Sequence, residues 1–270
     1  MSADNDVVIT PGGQRHRSQV HLIGEGNPYV HGRHGTIAPK ILQRPGPPGQ
    51  ANWISCADWT NTTGSPLKSF RANWRVPAAP ETVASQLPYL FNGLEPYDGS
   101  TIVQPVLQWG ESGPDEDGLQ RTGSFWTVAC WMVPGPDGHT YHTPHVRVLE
   151  GVLLAGRVDL LEQSAGGFEY TCEFAGIAGT AFTTPALQEL SWCALTLEAY
   201  ELESAVSPPY DLNVASEYPA SRTVFQDIDV STAAGSGNVR WTVQNLVTGF
   251  GEHTVVVANS GVNGEVEINY

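Results

Sequence analysis

Residues 104–110 read Gln-Pro-Val-Leu-Gln-Trp-Gly, and residues 196–202 read Thr-Leu-Glu-Ala-Tyr-Glu-Leu. Both stretches alternate polar and apolar side chains, which is the pattern of a β-strand with one buried face. Each stretch places a polar side chain that can take part in catalysis, Gln108 or Glu198, among large apolar residues. An amide and a carboxylate that meet on one sheet face can activate and orient a water.

The strand-like pattern continues through most of the chain. Such runs recur from about Trp53 onward, and turn formers such as Gly166-Gly167 separate them. The predicted strands are Ser69–Val76, Leu87–Leu94, Ile102–Trp109, Ser124–Val133, His145–Leu149, Leu153–Leu161, Phe168–Phe174, Leu195–Leu202, Val224–Val230, Val239–Leu246 and Glu252–Val257. Apart from one helical turn predicted over Thr184–Leu190, no segment keeps a helical period of apolar residues. We therefore predict an all-β protein, an antiparallel sandwich or barrel.

The first fifty residues differ from the remainder. They contain four of the eight histidines and several Pro-Gly turns. We predict an irregular, extended arm over residues 1–50, with two short strands at most, and a single β-sandwich domain over residues 51–270. Such an arm could block a cleft, brace the sandwich or hang free.

Charge is distributed unevenly along the chain. The net charge is −15, with five Lys/Arg against three Asp/Glu in residues 1–50 and eight against 25 in residues 51–270. Acidity of this size repels phosphates, so we expect no nucleic-acid partner. No apolar run is long enough to span a bilayer, so we expect no membrane partner. The acidic composition suits solubility and also suits acidic surroundings, where fewer carboxylates are ionised.

The four cysteines are Cys56, Cys130, Cys172 and Cys193, and their spacing fits no zinc motif. One disulfide is compatible with this number, but the sequence alone does not pair the cysteines. The opening Met-Ser-Ala-Asp-Asn-Asp is not a signal peptide, so the residues themselves leave localisation open.

Several segments, in chain order, resemble the glutamic peptidases (eqolisins), which are acid proteases built on a double antiparallel β-sandwich of the jelly-roll kind. Pro105-Val-Leu-Gln108-Trp-Gly110 resembles the family's Ala-Ile-Leu-Gln-Thr-Gly, and Leu197-Glu198-Ala-Tyr-Glu-Leu202 resembles its Ala-Glu-Trp-Ile-Val-Glu. The other similar segments are Phe70–Pro77, Tyr89–Glu95, Phe125–Pro134 and Val148–Leu160. The resemblance covers roughly residues 69–230, and it favours a secreted or extracytoplasmic protein.

The resemblance implies a catalytic pair made of Glu198 and Gln108, on strands that neighbour each other in one curved sheet. It also implies that Tyr89, Trp109 and Trp131 are cleft walls that bind substrate. Strand alternation adds Gln104 and Tyr200 to the expected substrate-binding residues, since they share the faces of Gln108 and Glu198. The chain departs from the family pattern in three places: Trp109 replaces a small Thr, the Trp that follows the Glu is replaced by Tyr200 one position later, and Cys193 lacks its customary partner near Ile102. These changes all lie around the implied catalytic pair.

The chemistry of this pair suits amide hydrolysis in acid. A Glu carboxylate can accept the proton of an attacking water and return it to the leaving amine. A Gln amide can donate to the developing oxyanion and hold the water in place. The mechanism needs no cofactor and no metal, and its substrate is a polypeptide.

Two other function classes remain open. A lectin, glycosidase or polysaccharide lyase could use the same concave face, with the chain's tryptophans and tyrosines stacking on sugars. A glycosidase needs two carboxylates about 5–10 Å apart, and Glu198 could pair with Glu95, Glu111 or Glu173. A lyase would instead draw on a set of Gln, Tyr and His side chains: Gln104, Gln108, Tyr141 and His142. A binding module would hold peptide or glycan on this face without catalysis.

One further cluster lies at His139, His142 and His145. Three histidines in a loop could bind a divalent ion, but no nearby cysteine completes a zinc set. We therefore predict no metal site.

Overall fold

The computed structural model describes residues 8–9, 21–23, 53–83, 86–113, 119–133, 140–200, 215–220, 222–236, 238–245 and 252–270. Within these ranges the chain forms β-strands and a 3₁₀ turn at Ala215–Glu217. The strands are β1 (Val8–Ile9), β2 (His21–Ile23), β3 (Trp53–Thr60), β4 (Leu67–Arg75), β5 (Leu87–Pro96), β6 (Ile102–Gly110), β7 (Gly123–Val133), β8 (Thr140–His142), β9 (Val146–Val148), β10 (Leu153–Ser164), β11 (Gly167–Phe174), β12 (Phe182–Thr183), β13 (Leu190–Tyr200), β14 (Thr223–Thr232), β15 (Gly235–Ser236), β16 (Thr242–Asn245), β17 (His253–Ala258) and β18 (Gly264–Asn269). Among the described residues, no helix is long and apolar enough to cross a membrane.

The strands form two sheets. The ten-stranded sheet has the order β1-β9-β7-β6-β5-β13-β3-β16, with β8 pairing β7 and β2 pairing β8. The eight-stranded sheet has the order β12-β11-β10-β4-β14-β18-β17, with β15 pairing β14. Neighbouring strands are antiparallel, apart from the parallel pair β1 and β9. The predicted double antiparallel sandwich is confirmed.

The main core lies between the two sheets, as the two-residue period of the strands predicts. Leu107 and Leu197 belong to this core, together with Trp74 and Phe225 from the eight-stranded sheet. A second, smaller apolar cluster lies on the other face of the ten-stranded sheet. It includes Trp53, Tyr89, Phe91, Val106, Trp131 and Trp192. Both faces of the ten-stranded sheet are therefore buried, which makes its central strands unlike ordinary surface strands.

Some local predictions differ from the structure. Strand β3 was missed because it is buried on both faces, so its sequence shows no clean alternation. The helical turn predicted over Thr184–Leu190 is wrong, since Leu187 forms a β-bridge with Phe168 and β13 begins at Leu190. In residues 1–50 the structure describes the short strands β1 and β2, and the rest of the predicted arm lies outside the described residues.

A close approach between the sheets occurs at Gly156 in β10. A Cβ atom at this position would lie 2.3 Å from Asn92 Oδ1 and 2.8 Å from the Trp74 ring. Asn92 comes from β5 in the opposite sheet, and its Nδ2 donates to the Phe70 and Gly156 carbonyls at 3.5 Å. Only a glycine leaves room for this polar bridge in the core.

We expect Gly156→Ala to destabilise the fold by about 1–3 kcal/mol, because the added methyl overpacks a filled core. Urea denaturation gives the free energy of unfolding. Gly166→Ala is the matched control, since its Cβ would meet only Ser164 Oγ at 3.5 Å. Equal stability of the two variants would contradict the role given to Gly156.

Candidate functional site

Gln108 and Glu198 lie in one row across the ten-stranded sheet. Gln108 of β6 is opposite Tyr89 of β5, and Tyr89 is opposite Glu198 of β13. The prediction that the two strands are direct neighbours is wrong, because β5 lies between them. Adjacent strands are about 4.8 Å apart, so the two backbones are separated by about 10 Å. Two long side chains on one face can share a small bound group across that distance.

The row is closed to solvent in this structure. The exposed fractions are 1% for Gln108, 1% for Tyr89 and 3% for Glu198. An open cleft, as the resemblance implied, is therefore not what the structure shows at these three residues. Whichever residues cover this face must move before a polymer can reach it.

The amide of Gln108 is held by its own strand end. Its Nε2 donates to Ser112 Oγ at 2.8 Å and to the Gly110 carbonyl at 3.2 Å. Ser112 is held in turn by Thr122, whose Oγ1 accepts from the Ser112 backbone N–H at 3.1 Å. Because a backbone carbonyl can only accept, this contact fixes the amide with its nitrogen toward Gly110.

Beside the row of Gln108, Tyr89 and Glu198, three buried polar atoms have no hydrogen-bond partner among the described residues. They are Gln108 Oε1, Thr127 Oγ1 and Thr196 Oγ1. Thr127 of β7 is opposite Gln108, and Thr196 is two residues before Glu198 on the same side of β13. Buried polar groups are normally hydrogen-bonded, so such atoms mark where a water or a polar substrate group can bind.

Two more carboxyl groups lie on the face of Glu198. Glu95 shares the side of β5 that carries Tyr89, and Asp58 of β3 is opposite Ala194 of β13. Burial, with the nearby charge of Glu198, raises the pKa of Glu95 to about 8. Burial also raises the pKa of Asp58, which accepts hydrogen bonds from Gln244 and Trp192. Glu95 is thus neutral at acidic and neutral pH.

The predicted substrate-binding residues do not all lie on this face. Trp109 is in the core between the sheets, where it packs edge-on against Trp126 at 5.4 Å. It follows Gln108 directly, so strand alternation turns it away from the pair, and its place in a substrate cleft is wrong. Tyr89 lies between Gln108 and Glu198, as described above. For Tyr200, which ends β13, only the backbone position is described.

Gln104 and Trp131 are on the face of the pair, at some distance from it. They are opposite each other on β6 and β7, four residues along β6 from Gln108, and both are buried. His142 lies over the Trp131 ring at 4.2 Å, and His142 and His145 are 4.9 Å apart. His142 Nδ1 donates to the Thr143 carbonyl at 2.6 Å. This cluster forms an aromatic and polar extension of the face.

The absence of a metal site stays a prediction. Among the described residues no group of three or more His, Cys, Asp or Glu side chains is placed to hold a metal ion. His139 lies outside those residues. Of the carboxylates weighed for a sugar site, Glu173 is on the eight-stranded sheet, where it pairs with Arg157 at 3.8 Å. Glu111 directly follows β6 and is exposed. The buried Glu95, whose pKa is affected by the charge of Glu198, is the partner that the structure associates with Glu198.

Sequence reasoning missed the roles of Thr127, Thr196 and Ser112. A usable signal was present for Thr196, since it shares the two-residue period of Glu198. Thr127 and Ser112 could be found only from strand pairing and from the turn after β6, which are non-local.

Comparisons with known proteins give structural similarity only. No known protein-family profile matches this sequence. No curated protein sequence matches it either. The fold is similar to that of scytalido-glutamic peptidase crystallised with a peptide-based transition-state analogue, with 14% identity, a TM-score of 0.48, and coverage of 81% of this chain and 98% of that one. It is also similar to SCP-B, a member of the eqolisin family of peptidases in a complex with the tripeptide Ala-Ile-His, with 14% identity, a TM-score of 0.46 and the same coverage.

Proposed function

We propose that the protein is a hydrolase that cleaves peptide bonds at acidic pH through Glu198 and Gln108. The observation that carries the proposal is the row Gln108, Tyr89 and Glu198 across three adjacent strands. These are the two residues that the family resemblance implies as catalytic. The unpartnered Gln108 Oε1 and the Thr127 and Thr196 hydroxyls beside them supply acceptors and donors for a bound water and a substrate carbonyl.

In this mechanism Glu198 accepts a proton from the water as the water oxygen attacks the scissile carbonyl carbon. The tetrahedral intermediate then collapses, the C–N bond breaks, and the proton passes from Glu198 to the leaving amine nitrogen. Gln108 Oε1 accepts a hydrogen bond from the attacking water and so orients it. Oxyanion donation by Nε2 requires that the amide leave Ser112 or turn over, because both of its hydrogens are engaged.

The neutral state of Glu95 supports the assignment of Glu198 as the base. Two nearby carboxyl groups do not both ionise easily in a buried site. The pKa of Glu95 is raised to about 8, so Glu95 keeps its proton at acidic pH and is not available as a base, and the role of base falls to Glu198. Pairs of acids with separated pKa values are a common basis of acid and base assignment.

A carbohydrate-cleaving enzyme is the second candidate, and Glu95 is the observation that favours it. A glycosidase uses one carboxylic acid with a raised pKa as general acid and a second carboxylate as base or nucleophile. Glu95 and Glu198 match this division of roles, and the tryptophans of the second apolar cluster could stack on sugar rings. Under this alternative, Gln108 has no chemical role.

The two functions are separated by one pair of assays on the same purified protein. Incubation with a denatured protein substrate between about pH 2 and 7 should release new α-amino groups, measured by amine labelling, with the highest rate on the acidic side. A panel of polysaccharides, read by new reducing ends, should stay unchanged. New reducing ends without new amino groups would support the glycosidase. If neither product forms, the remaining function is a binding face without catalysis.

A further inference from the structure

Cys130 and Cys172 face each other across the sandwich. Cys130 is on β7 of the ten-stranded sheet and Cys172 is on β11 of the eight-stranded sheet. Both side chains are 0% exposed and belong to the core between the sheets. Burial and the neighbouring Cys172 thiol both raise the pKa of the Cys130 thiol. Two cysteines from opposite layers therefore lie near each other in one core cluster.

The two strands that carry these cysteines approach each other closely. Facing sheets in a sandwich are usually about 10 Å apart, yet β7 and β11 have pairs of Cα atoms within 8 Å of each other. A disulfide requires Cα atoms about 4.4–6.8 Å apart and Cβ atoms pointing toward each other. The approach of these two strands brings the layers toward the separation that such a bond needs.

The other two cysteines are placed apart from this pair. Cys56 lies in the second apolar cluster and Cys193 lies in the core between the sheets, so the two are on opposite faces of their sheet. Cys193 is on β13, which is separated from β7 by β5 and β6. Three strand spacings are about 14 Å, too far for a disulfide between Cys193 and Cys130.

We propose that Cys130 and Cys172 form a disulfide that joins the two sheets when the chain folds under oxidising conditions. The oxidant is a low-molecular-weight disulfide such as oxidised glutathione. One cysteine thiolate attacks it, releases one glutathione thiolate and forms a mixed disulfide, and the second cysteine then displaces the other glutathione. Two protein thiols are oxidised, the two electrons leave with two glutathione thiols, and the Cys130–Cys172 bond remains.

The disulfide forms while the chain folds, not after folding is complete. Burial raises the pKa of the Cys130 thiol, so the folded, reduced protein holds an unreactive thiol away from solvent. During folding the strands are exposed and the thiolate can react. Once formed, the bond is shielded from reductants by the same core, as inter-sheet disulfides are in other sandwiches.

The test is oxidative refolding of the full chain with reduced and oxidised glutathione. The product is denatured, and its free thiols are labelled with a maleimide carrying polyethylene glycol, before and after reduction. We expect two of the four cysteines to resist labelling until the reductant is added, and peptide mass spectrometry to find the Cys130–Cys172 link. Four reactive thiols without reductant, or a link between other cysteines, would overturn the proposal.

Thermal unfolding gives a second readout. The bond closes a loop of about 43 residues, so the oxidised protein should melt about 10 °C above the reduced one. The melting temperature of Cys172→Ala should not respond to reductant, whereas Cys193→Ala, a buried cysteine outside the pair, should keep the full shift. A reductant-sensitive Cys172→Ala variant would also overturn the assignment.

Discussion

Replacing Glu198 by Gln is expected to lower kcat for peptide hydrolysis at acidic pH by about a thousandfold, within the range of a lost general acid and base. Gln has the size of Glu but cannot accept the water's proton, so the fold should persist while the chemistry fails. The measurement is the initial rate of amine release from a denatured protein, beside the melting temperature of each sample. KM should change little, since the proposed role of Glu198 is in the transition state.

Gln108→Ala belongs to the same experiment. We expect kcat to fall by a factor on the order of 100 to 1,000, the usual cost of removing one such polar group. The matched control is Glu162→Gln, an exposed glutamate at the far end of β10, which should retain full activity. Wild-type rates in both Glu198→Gln and Gln108→Ala would remove the pair from the mechanism.

The sequence predicted the strands and their faces because a two-residue period is local information. Leu107 and Leu197 are in the core and Gln108 and Glu198 on the opposite face, as alternation requires. Trp109 shows the limit of borrowing a role from a resemblance. Strand alternation places Trp109 on the same face as Leu107, and in the structure both residues lie in the core between the sheets. The role in substrate binding that the resemblance implied does not fit this position.

The order of strands within the sheet could not be derived in this way. Strand β5 lies between β6 and β13, and this pairing joins residues about a hundred positions apart. Glu198 and Gln108 look like half-exposed sheet residues in sequence, whereas the structure buries both, and burial of a second sheet face is not local information. The proximity of Cys130 and Cys172 likewise depends on how the two layers face each other.

Glu95→Gln should change the pH dependence of stability more than any other substitution on this face. The ordinary pKa of Glu95 is 4.5, and burial with the Glu198 charge raises its pKa to about 8 in the folded protein. As pH rises from about 4.5 to about 8, the unfolded chain releases this proton and the folded chain keeps it. The free energy of unfolding therefore falls over that interval.

In Glu95→Gln the free energy of unfolding should not fall over this pH interval, because Gln keeps the shape of protonated Glu and has no proton to release. Urea denaturation should show equal stability for wild type and Glu95→Gln near pH 4. At pH 8 the variant should be more stable by a margin on the order of 4 kcal/mol. Glu162→Gln, which changes an exposed glutamate, should run parallel to wild type at every pH. If the free energies of unfolding of Glu95→Gln and wild type change in parallel with pH, Glu95 is ionised in the folded protein.

The same variant decides between the two proposed chemistries. A peptidase that works through Glu198 and Gln108 uses Glu95 only as a neutral neighbour, so Glu95→Gln should retain its rate of amine release at pH 4. A glycosidase that uses Glu95 as general acid would lose at least about a hundredfold in rate, because Gln has no acidic proton to donate to the leaving oxygen. Equal stability of the two proteins at pH 4 makes this comparison one of chemistry alone.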